Sequence, residues 1–198
     1  MEKTDSRTKL LEVGTRLFSE RGLNGVSIRE LSLAASTSIS MISYHFGSKE
    51  GLYAEVLQQQ FASFQEIHEL RGRVSDPEAM VEEYLRWTFR RHRNNPYLLR
   101  FYTSELTNPT PFFGSHVQPV IDEVIRSMAA VIEEGIRLKR FRQDVQPTNA
   151  AIALAGMVNY FFLSLHATQN LISHDPELDE KLIREYLAIF IKGVAAEQ

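Results

Sequence analysis

The sequence contains no cysteine, which excludes disulfide bonds, thiolate metal ligands and a catalytic cysteine. It also has little hydrophobic sequence of membrane-spanning length. The most apolar stretch, residues 150–165, is interrupted by Asn159 and is shorter than the roughly 18 residues a span needs. The first ten residues are polar and mixed in charge, unlike a secretory signal. We therefore expect a cytoplasmic protein with no membrane partner.

An excess of positive charge is missing as well. The net charge of the 198 residues is −3 and the isoelectric point is near 6.1. Residues 1–50 carry seven lysines and arginines against six acidic residues. A nucleic-acid partner would therefore have to bind a local cationic surface, and the overall charge does not decide whether one exists.

Proline is absent from the first 76 residues, whereas all seven prolines lie beyond them. Sixteen of the twenty aromatic residues lie beyond residue 60. Because both residue types change in frequency near the same place, we predict two parts, a small front unit and a larger aromatic-rich one.

Apolar residues recur with helical spacing almost throughout the chain, and no strand-like alternation persists. The fold class predicted is therefore all-α. In the front unit, Gly22 is expected to end a helix, and Ser27 with Glu30 has the form of a capping box. Later helices are predicted near residues 78–93, 96–107, 116–139, 148–171 and 177–195.

Residues 27–46 have the spacing of a helix-turn-helix, two short helices around a polar turn. The second helix offers small hydroxyl side chains that can approach base edges or phosphates. The same pattern also fits a small helical bundle whose serines are merely solvated, so the spacing alone leaves both interpretations open.

An enzyme is the competing class, and the motifs for it are missing. The only S-x-x-K, at residues 6–9, has none of its partner motifs, and no phosphate-binding glycine loop or nucleophile elbow occurs. The six histidines show no metal-ligand spacing. We expect no catalytic residues, no metal and no cofactor.

The run from Leu10 to Leu57 resembles the N-terminal domain of the tetracycline-repressor (TetR) family of bacterial transcriptional regulators. The residues that carry the resemblance are Leu17-Phe18, Glu20-Arg21-Gly22, Ser27-Ile28-Arg29-Glu30-Leu31, Ala34-Ala35, Ser38 and Tyr44-His45-Phe46-Gly47-Ser48-Lys49-Glu50-Gly51-Leu52. The chain departs from the family pattern at Ser36-Thr37, where Gly-Val is usual, and at Ser43, where Tyr is usual.

This resemblance implies a helix-turn-helix DNA-binding domain over residues 4–64 and a helical effector-binding and dimerisation domain over residues 65–198. It implies that Arg29 reads bases and that Lys49 contacts phosphate. The full set of DNA contacts it implies is Arg29, Ser38, Ile39, Ser40, Met41, Ser43, Tyr44, His45 and Lys49.

The second part is expected to hold a dimer interface and a small-molecule site. One recognition helix buries too little surface for tight, specific binding, so two copies are expected to pair. The resemblance implies that they pair through the last two helices, and the alternative is that both helices belong to the core of a monomer. Aromatic residues with polar groups among them are typical of a small-molecule site. The residues expected to line it are Trp87, Phe101, Tyr102, Glu105, His116 and Asn159.

The function predicted is that of a ligand-responsive repressor, which binds a pseudo-palindromic operator in double-stranded DNA as a homodimer and is released by a small molecule. The alternative is a helical module that sequesters a ligand or a protein and binds no operator.

Overall fold

The computed structural model of the chain describes residues 2–62 and 74–196, with side chains from residue 6 onward. Within these ranges the only pairing of extended backbone is an isolated antiparallel bridge between Phe141 and Ala195, so the all-α prediction is confirmed. The described helices are α1 (Glu2–Arg21), α2 (Ile28–Ala34), α3 (Ile39–Phe46), α4 (Lys49–Phe61), α5 (Pro77–Asn94), α6 (Leu98–Thr107), α7 (Gln118–Arg137), α8 (Pro147–Leu163), α9 (Leu165–Thr168) and α10 (Asp179–Val194). A π-helical turn, Phe113–Val117, precedes α7, and a 3₁₀ turn, Pro176–Leu178, precedes α10.

Local hydrogen bonds fix the starts of α2, α4 and α5 where the sequence predicts them. The Ser27 hydroxyl accepts from the Glu30 amide, and the Glu30 carboxylate accepts from the Ser27 amide, which is the complete capping box. Ser48 caps α4 through the amide of Gly51. Asp76 caps α5, whose first residue is Pro77.

One predicted helix is interrupted. The helix expected near residues 148–171 ends at Leu163, because Ser164 leaves helical geometry at φ −90° and ψ 1°. Its hydroxyl donates to the carbonyl of Phe161, and the hydroxyl of Thr168 donates to the carbonyl of Ser164. These side chains compete with the helical backbone for its carbonyl acceptors, which favours a break at this point.

The structure divides into two compact units. Unit 1 contains the described residues up to 62 together with residues 96–120. Unit 2 contains residues 74–95 and 121–196. The boundary predicted between residues 64 and 65 lies outside the described residues and stays a prediction.

Unit 1 is built around α4, which contacts α1, α3, α6 and the π-helical turn. Leu52, Val56 and Leu57 on α4 are fully buried. Phe18 of α1 meets the Tyr53 ring edge-on, with the ring centroids 5.0 Å apart, an arrangement favourable for aromatic pairs. Burial of these apolar and aromatic surfaces is the main force that holds the small helices together.

A buried polar cluster joins α4 to α6 in the same unit. The Tyr53 hydroxyl donates to a carboxylate oxygen of Glu105 at 2.6 Å, and Glu105 is 0% exposed. The backbone amide and the hydroxyl of Thr110 also donate to this carboxylate, at 3.0 to 3.1 Å. Burial and the neighbouring carboxylate raise the pKa of Tyr53, so the phenol stays protonated and keeps donating.

Unit 2 packs α5 against α8 and α10. Its centre is aromatic: the Phe89 ring stacks on Phe161 at 5.5 Å and meets Phe162 edge-on at 5.1 Å. At the edge, the Arg93 guanidinium makes a two-pronged ion pair with Asp179, at 2.9 and 2.7 Å. Two-pronged pairs of this kind fix orientation as well as contributing energy, so they align α5 with α10.

We predict that Tyr53→Phe lowers the free energy of unfolding by about 1–3 kcal/mol, because a buried carboxylate loses one of its donors. Urea titration followed by circular dichroism measures the change. The control is Tyr44→Phe, whose ring is 63% exposed and whose substitution should alter stability by less than about 0.5 kcal/mol. Equal stabilities of the two variants would show that the Tyr53–Glu105 bond contributes nothing.

Candidate nucleic-acid interface

Helices α2 and α3 pack on each other and on α1, with a four-residue turn between them. Leu31 of α2 and Ile42 of α3 are 0% exposed, so each helix turns one side into unit 1 and leaves the other open. Phe46, which ends α3, is half-buried. The helix-turn-helix predicted over residues 27–46 therefore has the packing that such a motif requires.

The open side of α3 carries most of the predicted contacts. Tyr44 is 63% exposed and Ile39 is 41% exposed. Ser38 and Ser40 are also exposed, and their hydroxyl oxygens lie 2.7 Å apart. Ser43 is exposed, whereas Met41 is half-buried. Hydroxyls, a phenol and an aliphatic side chain thus share one surface, and these groups can bind base edges, phosphates and thymine methyls.

Arg29 on α2 is exposed, and within the described part of the chain no ion pair is found for its guanidinium. The neighbouring acid is already occupied, since Glu30 pairs with Arg21 at 2.8 Å. The backbone amide of Ser27 and the guanidinium of Arg21 lower the pKa of Glu30 to about 2, so this carboxylate is ionised and bound elsewhere. Arg29 is therefore available for an anion or a base edge.

Leu33 is an exposed residue that the sequence analysis did not single out. It follows Arg29 by four residues on α2, which places both on one side of the helix. Its side chain is 81% exposed. The i, i+4 spacing from Arg29 was the signal that could have identified it, and Leu33 belongs to the same open surface.

Two of the predicted phosphate contacts make bonds inside unit 1. The His45 Nε2 atom shares a hydrogen bond with the Ser6 hydroxyl at 3.0 Å. The Lys49 ammonium donates to the carbonyl oxygens of Leu23 and Val26, at 2.9 and 3.0 Å. Both side chains are half-buried, and their DNA contacts stay predictions.

The turn between α2 and α3 has the hydrogen bonds of a Schellman motif. The amide of Thr37 donates to the carbonyl of Ser32 at 2.9 Å, and the amide of Ser36 donates to that of Leu33 at 3.1 Å. Ser36 accordingly has φ +51°, a left-handed conformation that glycine adopts without penalty. The departure of this chain from the usual Gly-Val turn therefore adds backbone strain next to α3.

The six residues expected to line a ligand site fall into both units. Phe101, Tyr102, Glu105 and His116 lie in unit 1. Phe101 is 1% exposed and packs on Tyr53, with the ring centroids 6.2 Å apart, while Glu105 is bonded as described above. Burial raises the pKa of Tyr102. The ring of His116 lies 6.0 Å from that of Phe112. Phe101, Glu105 and His116 have partners within the chain, and the role of all four residues toward a ligand stays a prediction.

Trp87 and Asn159 lie in unit 2. Trp87 is 4% exposed, and the Arg91 guanidinium lies over its ring at 5.0 Å. The Asn159 side-chain oxygen lies 2.9 Å from Nε2 of His92, and because that oxygen can only accept, Nε2 carries the proton. Burial lowers the pKa of His92, so the ring is neutral, and its buried Nδ1 has no hydrogen-bond partner among the described residues. The sequence analysis missed His92, and no spacing pattern pointed to it.

No described helix is long and apolar enough to span a membrane. In the same parts of the chain, no group of three or more histidine or acidic side chains is placed to hold a metal ion.

Comparison with known families agrees with the geometry of α2 and α3. Residues 10–56 match the family described as bacterial regulatory proteins, tetR family. Residues 77–192, more than half of the chain, match the tetracyclin repressor-like C-terminal domain. The chain belongs to the tetR family. As a tetR-family member it is a DNA-binding transcriptional regulator, with α2 and α3 inside the matched N-terminal region.

Similar proteins extend over nearly the whole chain. The HTH-type transcriptional repressor NicS of Pseudomonas putida is 25% identical over 197 residues, covering 96% of this chain and 90% of NicS. The ketosteroid transcriptional regulator KstR2 of Mycobacterium tuberculosis has the same fold, with a TM-score of 0.78, 19% identity and coverage of 96% and 95% of the two chains. AibR, solved with isovaleryl coenzyme A and operator DNA, has a TM-score of 0.74, 17% identity and coverage of 93% and 97%.

We predict that Ser36→Gly raises the free energy of unfolding by about 1 kcal/mol, since glycine removes the left-handed strain. Denaturant titration measures the gain. Ser36→Ala is the matched variant that keeps a Cβ and should show no gain.

Lys139→Gly provides a second control for this prediction. Lys139 has φ +57° in the same motif at the end of α7, so its replacement should stabilise the protein similarly. A gain for Ser36→Ala equal to that for Ser36→Gly would contradict the strain explanation.

Proposed function

We propose that this tetR-family regulator is a ligand-responsive repressor. Two copies bind a pseudo-palindromic operator, with the two α3 helices in successive major grooves about 34–36 Å apart or somewhat more. A small molecule bound in the C-terminal region of each chain holds the two α3 helices of the dimer at a spacing that no longer matches the operator, and the operator is released. The activity is binding and release, with no catalytic step, and a regulator of transcription works in the cytoplasm with the chromosome.

The observation that carries the DNA-binding part is the open surface of α2 and α3. Arg29 on α2 presents an exposed guanidinium without an ion pair in the described residues, and the neighbouring α3 presents exposed hydroxyls and a phenol. A guanidinium fits the acceptor edge of guanine in the major groove, and hydroxyls bind phosphates. The similar protein NicS is a transcriptional repressor, which supports repression as the role of this chain.

An apolar stripe on α8 supports the homodimer. Ile152, Tyr160 and Leu163 are 54%, 69% and 55% exposed, although α8 is apolar on nearly all sides. With Gly156 between them, their spacing of four, four and three residues places them along one side of the helix. On α10, Ile189 is 61% exposed. A second copy of the chain would bury these side chains, and the exposed Gly156 would let its helix approach closely.

The effector part of the proposal is supported by a buried acceptor without a partner. The Nδ1 atom of His92 accepts no hydrogen bond from the described residues of unit 2, and an unsatisfied buried polar atom is unfavourable. An effector with a hydroxyl or amide N–H could satisfy it. The AibR structure contains both an acyl-coenzyme A and operator DNA, so a protein of this fold binds both kinds of partner.

A sequestering module without operator binding is the second candidate. Its support is the charge of residues 27–50, where Arg29 and Lys49 are balanced by Glu30 and Glu50. A DNA-binding surface gains most of its nonspecific affinity from net positive charge, so near-neutrality favours a module that binds something other than DNA.

Selection of random-sequence duplexes by the purified protein, followed by a salt titration of the best binder, separates the two candidates. The repressor is expected to select a palindromic sequence bound by two chains, with affinity that falls steeply as salt rises. A folded dimer that enriches no sequence at low salt would refute operator binding and favour the sequestering module.

On the selected operator, we predict that Arg29→Ala relaxes base preference at one position in each half-site, with a loss of about 1–3 kcal/mol in discrimination. Binding to single-base operator variants measures it. The control is Arg16→Ala, which removes the same charge from an exposed site on α1 and should leave base preference unchanged. Relaxation by both variants would mean that Arg29 acts only through its charge.

We predict that Gly156→Arg weakens the dimer at least roughly tenfold, because a charged side chain would be buried in an apolar interface. Sedimentation equilibrium over a concentration series measures the change. A Cβ at Gly156 meets no atom of the chain within 4 Å, so the single chain should still fold.

Gly114→Arg is the matched control for the dimer prediction. Gly114 is also exposed and has open space around it, but it lies in unit 1. An unchanged dimer in Gly156→Arg would exclude this face of α8 from the interface.

A further inference from the structure

The described hydrogen bonds of the Lys49 ammonium are made within the protein. Lys49 is the first residue of α4 and is half-buried. Its ammonium has three N–H donors, and two of them point at carbonyl oxygens of the connection between α1 and α2, those of Leu23 and Val26. Hydrogen bonds from a charged donor are stronger than those between neutral groups, so these two bonds hold the start of α4 to the connection between α1 and α2.

The two carbonyls belong to a segment that determines where α2 begins. Leu23 is 7% exposed and Val26 is 1% exposed, so their side chains anchor the connection in the core of unit 1. Val26 directly precedes Ser27, the capping residue of α2, and Arg29 is the second residue of that helix. A bond to the Val26 carbonyl therefore fixes the backbone three residues before Arg29.

The backbone of Lys49 lies at the junction of α3 and α4, where local contacts fix its position. The Ser48 hydroxyl caps the first turn of α4 by accepting from the Gly51 amide at 3.0 Å. Gly51 lies so close to the carbonyl oxygen of Phe46, the last residue of α3, that a Cβ there would clash with it. The backbone of Lys49 is thus held against the end of α3, while its ammonium holds the start of α2.

We propose that Lys49 is a positioning residue, which sets the orientation of α2, and with it Arg29, relative to α3 through its two carbonyl bonds. This inference rests on the proposed operator binding. It assigns Lys49 a role different from the phosphate contact that the sequence resemblance implies, and the two roles differ in what they do to base preference and to salt dependence.

The test uses the full-length protein with two variants. Lys49→Met keeps an unbranched side chain of nearly the same length but removes its donors, and Lys49→Arg keeps donors and charge. Hydrogen exchange of the free protein is measured first. Lys49→Met is expected to speed exchange of the backbone amides from Leu23 to Leu31 at least roughly tenfold, and Lys49→Arg is expected to restore much of the protection. Unchanged exchange in Lys49→Met would overturn the proposal.

Operator binding supplies the second measurement, as a double-mutant cycle with Arg29→Ala. If Lys49 acts by positioning Arg29, Lys49→Met relaxes the same base position roughly tenfold and adds little in the Arg29→Ala background. The slope of log K against log salt stays that of the parent protein. A slope reduced by about one, with additive effects of the two substitutions, would identify a phosphate contact and overturn the proposal.

The two measurements keep this inference separate from the proposed function. Hydrogen exchange needs no DNA and reports on the attachment alone. Failure of the unmodified protein to select any duplex would refute operator binding instead, whatever the exchange rates of the Lys49 variants.

Discussion

A buried carboxylate is the constraint on which unit 1 depends. Glu105 has no exposed surface, and a charge in such a place is tolerated only when donors surround it. The donors come from Tyr53 on α4 and from Thr110 after α6, so α4 must lie where its phenol reaches the acid. The same helix contacts α1 and α3 and begins with Ser48 and Lys49. The position of α3, which packs on α4, therefore depends in part on this buried hydrogen bond.

How much of the fold and of the candidate site the sequence could predict depends on how far apart in sequence the interacting residues are. Helix starts such as Ser27 and Ser48 are determined by bonds between residues three apart, so they could be predicted from the pattern, and the open side of α3 follows from its period. The partners of Tyr53 and Lys49 lie 52, 26 and 23 residues away in sequence. Periodicity carries no information at such separations, and a lysine in a family motif was expected to contact phosphate. Leu33 is intermediate, because its spacing from Arg29 was visible in the sequence.

Helix α8 is more apolar in sequence than its burial in the single chain requires. An all-round apolar helix should be buried on every side, yet Ile152, Tyr160 and Leu163 are open to solvent in the single chain. The apolar pattern of α8 thus extends over more of the helix surface than the single chain buries. This difference is the observation behind the proposed homodimer, and the open glycine in the middle of the stripe suits the close approach of another helix.

Unit 1 is discontinuous in sequence, since residues 96–120 belong to it although residues 74–95 do not. The DNA-reading helices therefore cannot be isolated by cutting the chain after α4. Such a fragment would keep Tyr53 but lose Glu105 and Phe101, and the buried side of α4 would face water. Unit 1 is thus completed by a segment from the middle of the chain, and a fusion or domain exchange built from this protein would have to carry both pieces together.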